Sequence, residues 1–264
     1  MLAKISKNIY SVLIFLFLYA PIAVLIAFSF NASKSRGVWG GFSLKWYEAL
    51  FQNRSIMEAL SNTLFIAFFA ALIATVLGTA AAIGIHQMRK TPQGIIMNIS
   101  YLPVLNADIV TGVSMLILFS FLGISLGRVS LLLAHITFNT PYVILSVMPK
   151  LKQMNTHAYE AALDLGCTPL TAVMKVVLPE ILPGVITGAI LAFTLSIDDF
   201  VISFFTAGVG VNTLSIEIYS SVRRGIKPEM NALSSIIFVV VLLLLVVVNI
   251  RSSKDAEDRD KRRV

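Results

Sequence analysis

Long apolar stretches without charged residues alternate with short polar segments along the 264 residues of the chain. Each stretch is about 20 residues long, which an α-helix needs to cross a hydrocarbon core of about 30 Å. The pattern predicts an all-α, polytopic membrane protein of six transmembrane helices at residues 9–30, 64–85, 95–123, 129–148, 181–207 and 231–250. The first stretch is too long for a signal peptide and no cleavage motif follows it, so we expect a retained anchor.

The composition excludes a water-soluble globule. Hydrophobic residues make up 57% of the chain and charged residues 13%, whereas soluble domains carry about 25% charged residues. The net charge of +7 would suggest nucleic acid in a soluble chain, but membrane proteins keep Lys and Arg in cytoplasmic loops. We therefore expect no nucleic-acid partner. The single cysteine excludes an intrachain disulfide and a cysteine-based metal cluster, and no His/Glu spacing indicates a metal site.

An even number of spans places both termini on the same side of the membrane. Of the 21 Lys and Arg residues, 13 fall on that side and 8 on the other. Because positive residues are enriched in cytoplasmic loops, this bias predicts that both termini are cytoplasmic.

Segments outside the spans also have interpretable patterns. Residues 44–60 and 211–228 have amphipathic spacing, which predicts helices at the membrane interface or on the surface of the bundle. The basic tail at 251–264 is expected to be a solvated cytoplasmic end. We interpret residues 1–264 as a single transmembrane permease domain with its core permease helices at 62–250.

The cytoplasmic segment 149–180, between the fourth and fifth predicted spans, contains clear helix signals. Gly166 permits the left-handed conformation that ends a helix, and Thr168 suits the N-cap of the next one. A proline should end this second helix, which predicts that it stops at Pro179. The pattern indicates a helix, a glycine turn and a second helix lying along the membrane surface.

The same segment carries a family resemblance. Glu160, Ala161 and Ala162 are followed by Gly166 six residues after the glutamate, as in the EAA loop of bacterial ABC-importer permeases, although Val176 stands where that family usually has isoleucine. The resemblance implies the type I, binding-protein-dependent ABC-importer permease fold, with a coupling (EAA) loop at 149–180. It also implies that Glu160, Ala161, Ala162 and Gly166 dock on an ATP-binding subunit dimer.

No phosphate-binding loop of the form G-x-x-x-x-G-K-[ST] occurs in the chain. This absence agrees with the resemblance, which implies a transport subunit and not an enzyme, with no cofactor of its own. In this interpretation ATP and Mg²⁺ are bound by the partner ATPase.

Three aspartates lie inside the predicted spans, Asp108 in the third and Asp198 and Asp199 in the fifth. A charge at the centre of a span costs about 2.5–3.5 kcal/mol on insertion scales, so these residues mark a path for a cation or face other helices. Adjacent helical positions point about 100° apart, so Asp199 shares a helix face with Ser196 and Ser203 and not with Asp198. A structural hydrogen bond or a protonated acid is the alternative for each.

Within the ABC-importer family the chain resembles polyamine (spermidine/putrescine) permeases, in the segments 41–47, 108–110, 135–138 and 194–199. The resemblance implies a polyamine substrate, a second homologous permease subunit and an extracytoplasmic polyamine-binding protein, in contact with the lipid of a bacterial inner membrane. Ser196 and the three aspartates would lie on the substrate path. Trp46 would offer a cation–π contact to an arriving amine, or serve as an interfacial anchor.

Other functions agree with part of this pattern. A proton-coupled secondary transporter of a cationic solute would use one of the aspartates as its proton carrier, and an ABC permease for another cation, such as iron, would use the same acids. A hydrolase that combines His135 with Ser196 or Ser203 is disfavoured because neither serine lies in a G-x-S-x-G turn.

Overall fold

The computed structural model describes residues 2–34, 37–225, 227–240 and 242. Within this part, extended pairing is limited to one bridge between Asn31 and Phe42, and the predicted all-α class is confirmed. The helices are α1 (Leu2–Ser29), α2 (Lys45–Gln52), α3 (Arg54–His86), α4 (Lys90–Leu105), α5 (Asp108–Phe121), α6 (Arg128–Gln153), α7 (Thr156–Asp164), α8 (Pro169–Ala172), a π-helical segment (Val173–Val177), α9 (Leu178–Asp198), α10 (Val201–Thr206), α11 (Leu214–Arg224) and α12 (Pro228–Val240).

Within the described residues, four helical stretches are long and apolar enough to cross a membrane: Tyr10–Ser29, Arg54–His86, Arg128–Gln153 and the continuous run Pro169–Asp198. The pair α4 and α5 adds a fifth if the two count together. The first, second and fourth predicted spans are thus confirmed. The sixth, 231–250, begins in α12, and most of it lies outside the described residues, as does the tail at 251–264.

The third predicted span is broken and does not form one straight helix. α4 ends at Leu105, Asn106 and Ala107 have extended ψ angles of 151° and 138°, and α5 begins after a bend of 105°. Pro103 favours this end because its ring lacks an N–H and crowds the carbonyl of the preceding turn. Asp108 therefore lies at the start of α5 and not deep inside a continuous helix.

The fifth predicted span is also interrupted. α9 ends at Asp198, Asp199 has an extended ψ of 124°, and α10 begins at Val201. The prediction of an unbroken helix through both aspartates is wrong, because the Asp199 side chain bonds to the backbone that follows it and competes with the helical pattern.

The helix after the glycine turn does not stop at Pro179. α8, the π-helical segment and α9 form one continuous run, with Pro179 in the first turn of α9. A π turn holds one residue more than an α turn, and this wider turn lies directly before the position where proline removes a hydrogen bond and crowds the backbone. The prediction of a helix end at Pro179 is wrong for that reason.

Residues Glu58–Glu217 form a compact unit in which α6 packs along α9. Two glycines of α9 permit this close approach. A Cβ atom added at Gly184 would lie 3.0 Å from the Ser146 carbonyl oxygen, and one at Gly188 would lie 3.2 Å from Val143 Cα. Small residues at such positions let membrane helices approach closely, so the α6–α9 pair is the framework of this unit.

The described residues of 1–57 and 218–264 belong to a second compact unit. The helix predicted at 44–60 is divided by Asn53, whose side-chain oxygen accepts the Ile56 N–H at 3.4 Å, a local bond that competes with a continuous helix. α2 is amphipathic, with Trp46 and Leu50 buried, and α11 confirms a helix within 211–228. The single-domain organisation over 1–264 stays a prediction.

Candidate cation-binding site

The three aspartates of the predicted spans line one cavity in the unit Glu58–Glu217. The cavity has a volume of about 230 Å³ and is lined by Asp108, Phe138, Leu195, Asp198, Asp199, Phe200 and Val201. Residues 90 positions apart in the chain are brought together here by the packing of α5 against α10. The fold therefore concentrates negative charge at one place.

Each aspartate lies at a helix end. Asp108 is the first residue of α5, Asp198 is the last of α9, and Asp199 lies between α9 and α10. Helix C-termini carry roughly half a negative charge, and transporters commonly build ion and substrate sites from broken helices. The C-terminal end of α9 adds to the negative charge of Asp198, whereas Asp108 and Asp199 lie at the N-terminal ends of α5 and α10 and offset the positive charge of those ends.

Asp108 and Asp198 are the open carboxylates of the cavity. Both side chains are exposed, and neither makes a hydrogen bond or ion pair with another residue of the described part of the chain. No group of three or more His, Cys, Asp or Glu residues among those described has an arrangement suited to a metal ion.

Asp199 is engaged with the start of α10. Its Oδ1 accepts the backbone N–H of Ile202 at 3.1 Å, and its Oδ2 accepts that of Ser203 at 2.7 Å. Its side chain is only 6% exposed. Aspartate is a favoured capping residue because its oxygens satisfy N–H groups that have no partner inside the helix, so Asp199 stabilises the break itself.

A buried polar network connects α6 to both sides of this break. Nδ1 of His135 lies 3.1 Å from Ser196 Oγ, whereas Nε2 lies 3.0 Å from Ser203 Oγ and 3.5 Å from Asp199 Oδ2. Asn139 donates from Nδ2 to Ser196 Oγ at 2.7 Å. We call the four buried residues His135, Asn139, Ser196 and Ser203 the α6 latch.

Sequence reasoning missed Asn139 and the aromatic walls of the cavity. Phe138 and Phe200 line the cavity, and an aromatic ring attracts an ammonium group within about 6 Å of its centroid. His135, Phe138 and Asn139 share one helix face through i, i+3 and i+4 spacing. His135 and Asn139, two strongly polar residues one helical turn apart in a predicted span, were the available signal.

The same network bears on the hydrolase alternative. His135 contacts two serines and an aspartate, the side chains of a Ser-His-Asp triad. Ser203 and Asp199, however, share one imidazole nitrogen, and Ser196 is 3% exposed with its oxygen bonded to Asn139. Neither hydroxyl is placed where a substrate would meet a nucleophile, so the geometry favours a structural network.

Trp46 belongs to the other unit and is 7% exposed. Its indole N–H donates to the Asn31 carbonyl oxygen at 2.6 Å, and the Lys45 ammonium lies 4.6 Å from its ring centroid. A ring that is buried, hydrogen-bonded and already paired with a cation leaves little of its face for an arriving amine, so the contact of Trp46 with a substrate stays a prediction.

The glycine turn of the 149–180 segment has the predicted geometry. Gly166 has φ 85°, its N–H bonds to the Leu163 carbonyl at 2.9 Å, and the Cys167 N–H bonds to the Ala162 carbonyl at 3.1 Å. These two bonds define a Schellman motif. Thr168 then caps α8 through its side chain, so the helix, turn and second helix are confirmed up to the π-helical segment.

One side of this helical pair is anchored and the other is open. Tyr159 packs against the apolar core, whereas the Glu160 side chain is 66% exposed. Three large apolar side chains near the turn are also exposed: Leu165 at 87%, Leu170 at 73% and Met174 at 57%. Exposed apolar side chains of this kind are typical of a surface that contacts another protein or a membrane.

A second cavity, of about 220 Å³, lies beside α7. It is lined by Ile83, His86, Gln87, Leu151, Met154, Tyr159, Glu160 and Val177. These residues come from the ends of α3 and α6, from α7 and from the π-helical segment. The exposed pair of helices is thus adjacent to the ends of two membrane-length helices.

Membrane-length helices and acidic residues at helix breaks are features that membrane transport subunits share. The chain belongs to the family described as binding-protein-dependent transport system inner membrane components, which it matches over residues 74–253. The sequence-based assignment to the ABC-importer permeases is confirmed, and the chain is a permease component and not an enzyme.

Several curated relatives match almost the whole chain. It is 39% identical over 249 residues to the spermidine/putrescine transport system permease protein PotC of Haemophilus influenzae, covering 94% of this chain and 97% of the relative. It is 38% identical to Escherichia coli PotC, covering 99% and 97%. The putrescine transport system permease protein PotI of Escherichia coli is 41% identical, and the match covers 84% of this chain and 82% of PotI.

Solved structures with the same fold are more distant in sequence. A bacterial ABC transporter involved in the import of alginate has a TM-score of 0.70 at 13% identity, covering 94% of this chain and 96% of that one. The MetNI methionine ABC transporter in inward-facing form has a TM-score of 0.59 at 21% identity, covering 80% and 97%. These likenesses confirm the ABC-importer permease fold.

Proposed function

We propose that this chain is one membrane-spanning permease subunit of an ATP-driven importer that moves a polyamine, such as spermidine or putrescine, into the cytoplasm by alternating access. The observation that carries the proposal is the cavity in which Asp108, Asp198 and Asp199 meet at two helix breaks. A flexible polyamine has separated ammonium groups for separate carboxylates, and its methylenes can lie against the phenyl rings of Phe138 and Phe200.

The relatives support this choice of substrate. The curated permeases that match the chain at 38–41% identity carry spermidine or putrescine in their names. Iron would place different demands on the same site, because a transition metal prefers fixed ligands in a defined geometry, whereas the two open aspartates lie at the ends of different helices.

The proposed energy source is a separate ATPase. In this proposal the loop at 149–180 docks on an ATP-binding subunit dimer through Glu160, Ala161, Ala162 and Gly166, with Leu165, Leu170 and Met174 as additional apolar contacts. ATP and Mg²⁺ would be bound by that partner. The packing of Tyr159 on α7 against the apolar core of α3, α6 and α9 supports the proposal, because it connects a displacement of α7 to these membrane-length helices.

The remaining partners and the orientation follow from the same proposal. A second homologous permease would complete the membrane path, and an extracytoplasmic polyamine-binding protein would deliver the substrate. Both termini would face the cytoplasm of a bacterium, with the chain spanning its inner membrane several times. The excess of Lys and Arg on the side of the termini supports this orientation.

The test is transport in proteoliposomes that contain the whole importer. Asp108→Asn and Asp198→Asn each remove an open carboxylate, so we expect the KM for spermidine to rise by about tenfold or more, as for the loss of a charge-assisted contact. Glu48→Gln is the charge-matched control, because Glu48 is an exposed residue of α2. Unchanged spermidine uptake in both aspartate variants would exclude the proposed cation path.

The energy source distinguishes the proposal from a proton-coupled transporter. Uptake should require ATP on the cytoplasmic side and should continue when a protonophore removes the proton gradient. Uptake that survives without ATP and stops with the protonophore would support the secondary transporter instead. Competition by iron salts, but not by putrescine, would support a permease for that metal.

A further inference from the structure

The three aspartates of the cavity differ in what surrounds them. Asp108 and Asp198 are exposed and make no hydrogen bond or ion pair within the described part of the chain. Asp199 is 6% exposed, and both of its carboxylate oxygens accept backbone N–H groups of α10. An amine that paired with Asp199 directly would have to compete with the start of α10 for the same oxygens.

The hydrogen bonds of the α6 latch have a consistent direction. Asn139 donates to Ser196 Oγ, so the Ser196 hydroxyl is free to donate to His135 Nδ1. A neutral imidazole carries one N–H, and this assignment places it on Nε2, which faces Ser203 and Asp199. Each ring nitrogen then has a partner of the correct kind: Nε2 donates to Ser203 Oγ at 3.0 Å, and it lies 3.5 Å from Asp199 Oδ2.

The latch also joins elements that are otherwise separated by the break. Ser196 lies in the last turn of α9, Ser203 lies in α10, and His135 on α6 contacts both. Asp198 lies between these two attachment points and lines the cavity. The latch therefore fixes the direction in which Asp198 faces.

We propose that Asp199 is a positioning residue, held by His135 and by the start of α10, and that Asp108 and Asp198 contact the ammonium groups of the solute. This inference rests on the proposed polyamine path, and it assigns different roles to the three aspartates that line the cavity. His135 acts through Asp199, Ser196 and Ser203, and it does not touch the solute. The break between α9 and α10 is the element that these residues hold in shape.

The two roles predict different kinetic changes. Loss of a direct contact weakens binding of the substrate, so KM rises while kcat changes little. Loss of a positioning contact disturbs the helix break and lowers kcat, and a replacement that keeps an acceptor for the same N–H groups lowers kcat less than one that removes it. Asparagine and serine are both good capping residues, so Asp199→Asn and Asp199→Ser keep an acceptor for α10, whereas Asp199→Ala does not.

The experiment measures spermidine uptake and spermidine-stimulated ATP hydrolysis by the complete importer in proteoliposomes. For Asp198→Asn we expect KM to rise about tenfold or more. For Asp199→Asn and Asp199→Ser we expect KM to stay within about threefold, with a lower kcat. For Asp199→Ala we expect kcat to fall at least about tenfold below that of Asp199→Ser.

His135 gives a second test that does not depend on the folding of Asp199→Ala. His135→Gln retains an N–H donor directed at Ser203 and Asp199, and His135→Leu removes it, so His135→Gln should keep several-fold more activity. His135→Gln combined with Asp199→Asn should be less harmful than the product of the single effects, because both changes act on one contact.

The outcomes separate the two proposals. If Asp199→Asn and Asp199→Ser raise KM as much as Asp198→Asn does, Asp199 is a direct ligand and the positioning role is wrong, while the polyamine path stands. The positioning role is also wrong if His135→Gln is as inactive as His135→Leu and its effect simply multiplies with that of Asp199→Asn. If no aspartate variant alters uptake, the polyamine path itself fails.

Discussion

Gly166 has a backbone conformation that other residues avoid. Its φ of 85° is left-handed, and a Cβ atom added there would meet no neighbour within 4 Å. A substitution at this position therefore acts through backbone strain and not through a clash. A residue with a side chain pays about 1–2 kcal/mol in this conformation, which opposes the two bonds that end α7.

We predict that Gly166→Ala inserts into the membrane but binds the ATPase subunit less tightly, because the strain changes the angle between α7 and α8. The measurement is the amount of ATPase that copurifies with the tagged permease. Gly94→Ala is the control, since Gly94 lies within α4 and an added Cβ atom there also meets nothing within 4 Å. Equal copurification of the two variants would contradict the prediction.

At the scale of elements, the glycines of α3 differ in a way that their sequence neighbourhood does not reveal. A Cβ atom at Gly78 would lie 2.7 Å from Val143 Cβ on α6, whereas one at Gly84 would meet nothing within 4 Å. Gly78 is thus a contact point between two membrane-length helices, and Gly84 is not.

Because Gly78 and Gly84 lie in the same helix and differ in this contact, their valine substitutions form a matched pair. Gly78→Val should destabilise the protein by about 1–3 kcal/mol, as overpacking of a tight interface does, and Gly84→Val should have a much smaller effect. Unfolding of the purified protein in mixed detergent micelles measures both. A Gly84 variant as unstable as the Gly78 variant would show that α3 does not pack on α6 as described.

The π-helical segment Val173–Val177 is a second feature of this scale. Because a π turn holds one residue more than an α turn, deletion of Met174 should convert the segment to α-helix and leave the rest of the run in register. Deletion of Leu191, within α9, should rotate every following residue by about 100°. We expect the Met174 deletion variant to have a clearly higher melting temperature than the Leu191 deletion variant. A lower melting temperature for the Met174 deletion than for the Leu191 deletion would argue against the π turn.

At the scale of the whole molecule, the prediction concerns orientation: both termini and the loop at 149–180 should face the cytoplasm. Cys167 is the single cysteine of the chain, and it is partly exposed beside Gly166. In the permease expressed without an ATPase, a membrane-impermeant thiol reagent should label Cys167 in inverted vesicles and not in right-side-out vesicles. Cys167→Ser combined with Ser125→Cys, in the exposed loop before α6, should give the reverse pattern, and labelling from the same side for both would refute the assigned topology.

Much of the architecture could be predicted from sequence because its causes are local. Hydrophobic stretches of membrane length give the helices, and Gly166 with Thr168 gives the turn between α7 and α8 through bonds that reach only a few residues. The predictions that were wrong, at Asp108, at Asp199 and at Pro179, concern places where apolar pattern continues through a helix break or a π turn. Hydrophobicity does not distinguish a straight helix from a broken one.

The sequence by itself determined that this protein is a helical membrane protein, its EAA motif indicated a permease, and its pattern predicted the candidate acidic residues and the coupling loop. Only the tertiary structure decided how those residues are grouped. The meeting of Asp108 with Asp198 depends on the packing of α5 against α10, and the contact of His135 with both sides of the break depends on the packing of α6 against α9 and α10. The physical reason is distance along the sequence. Capping and periodicity act over about one helical turn, whereas the candidate site joins residues from three separate segments of the chain.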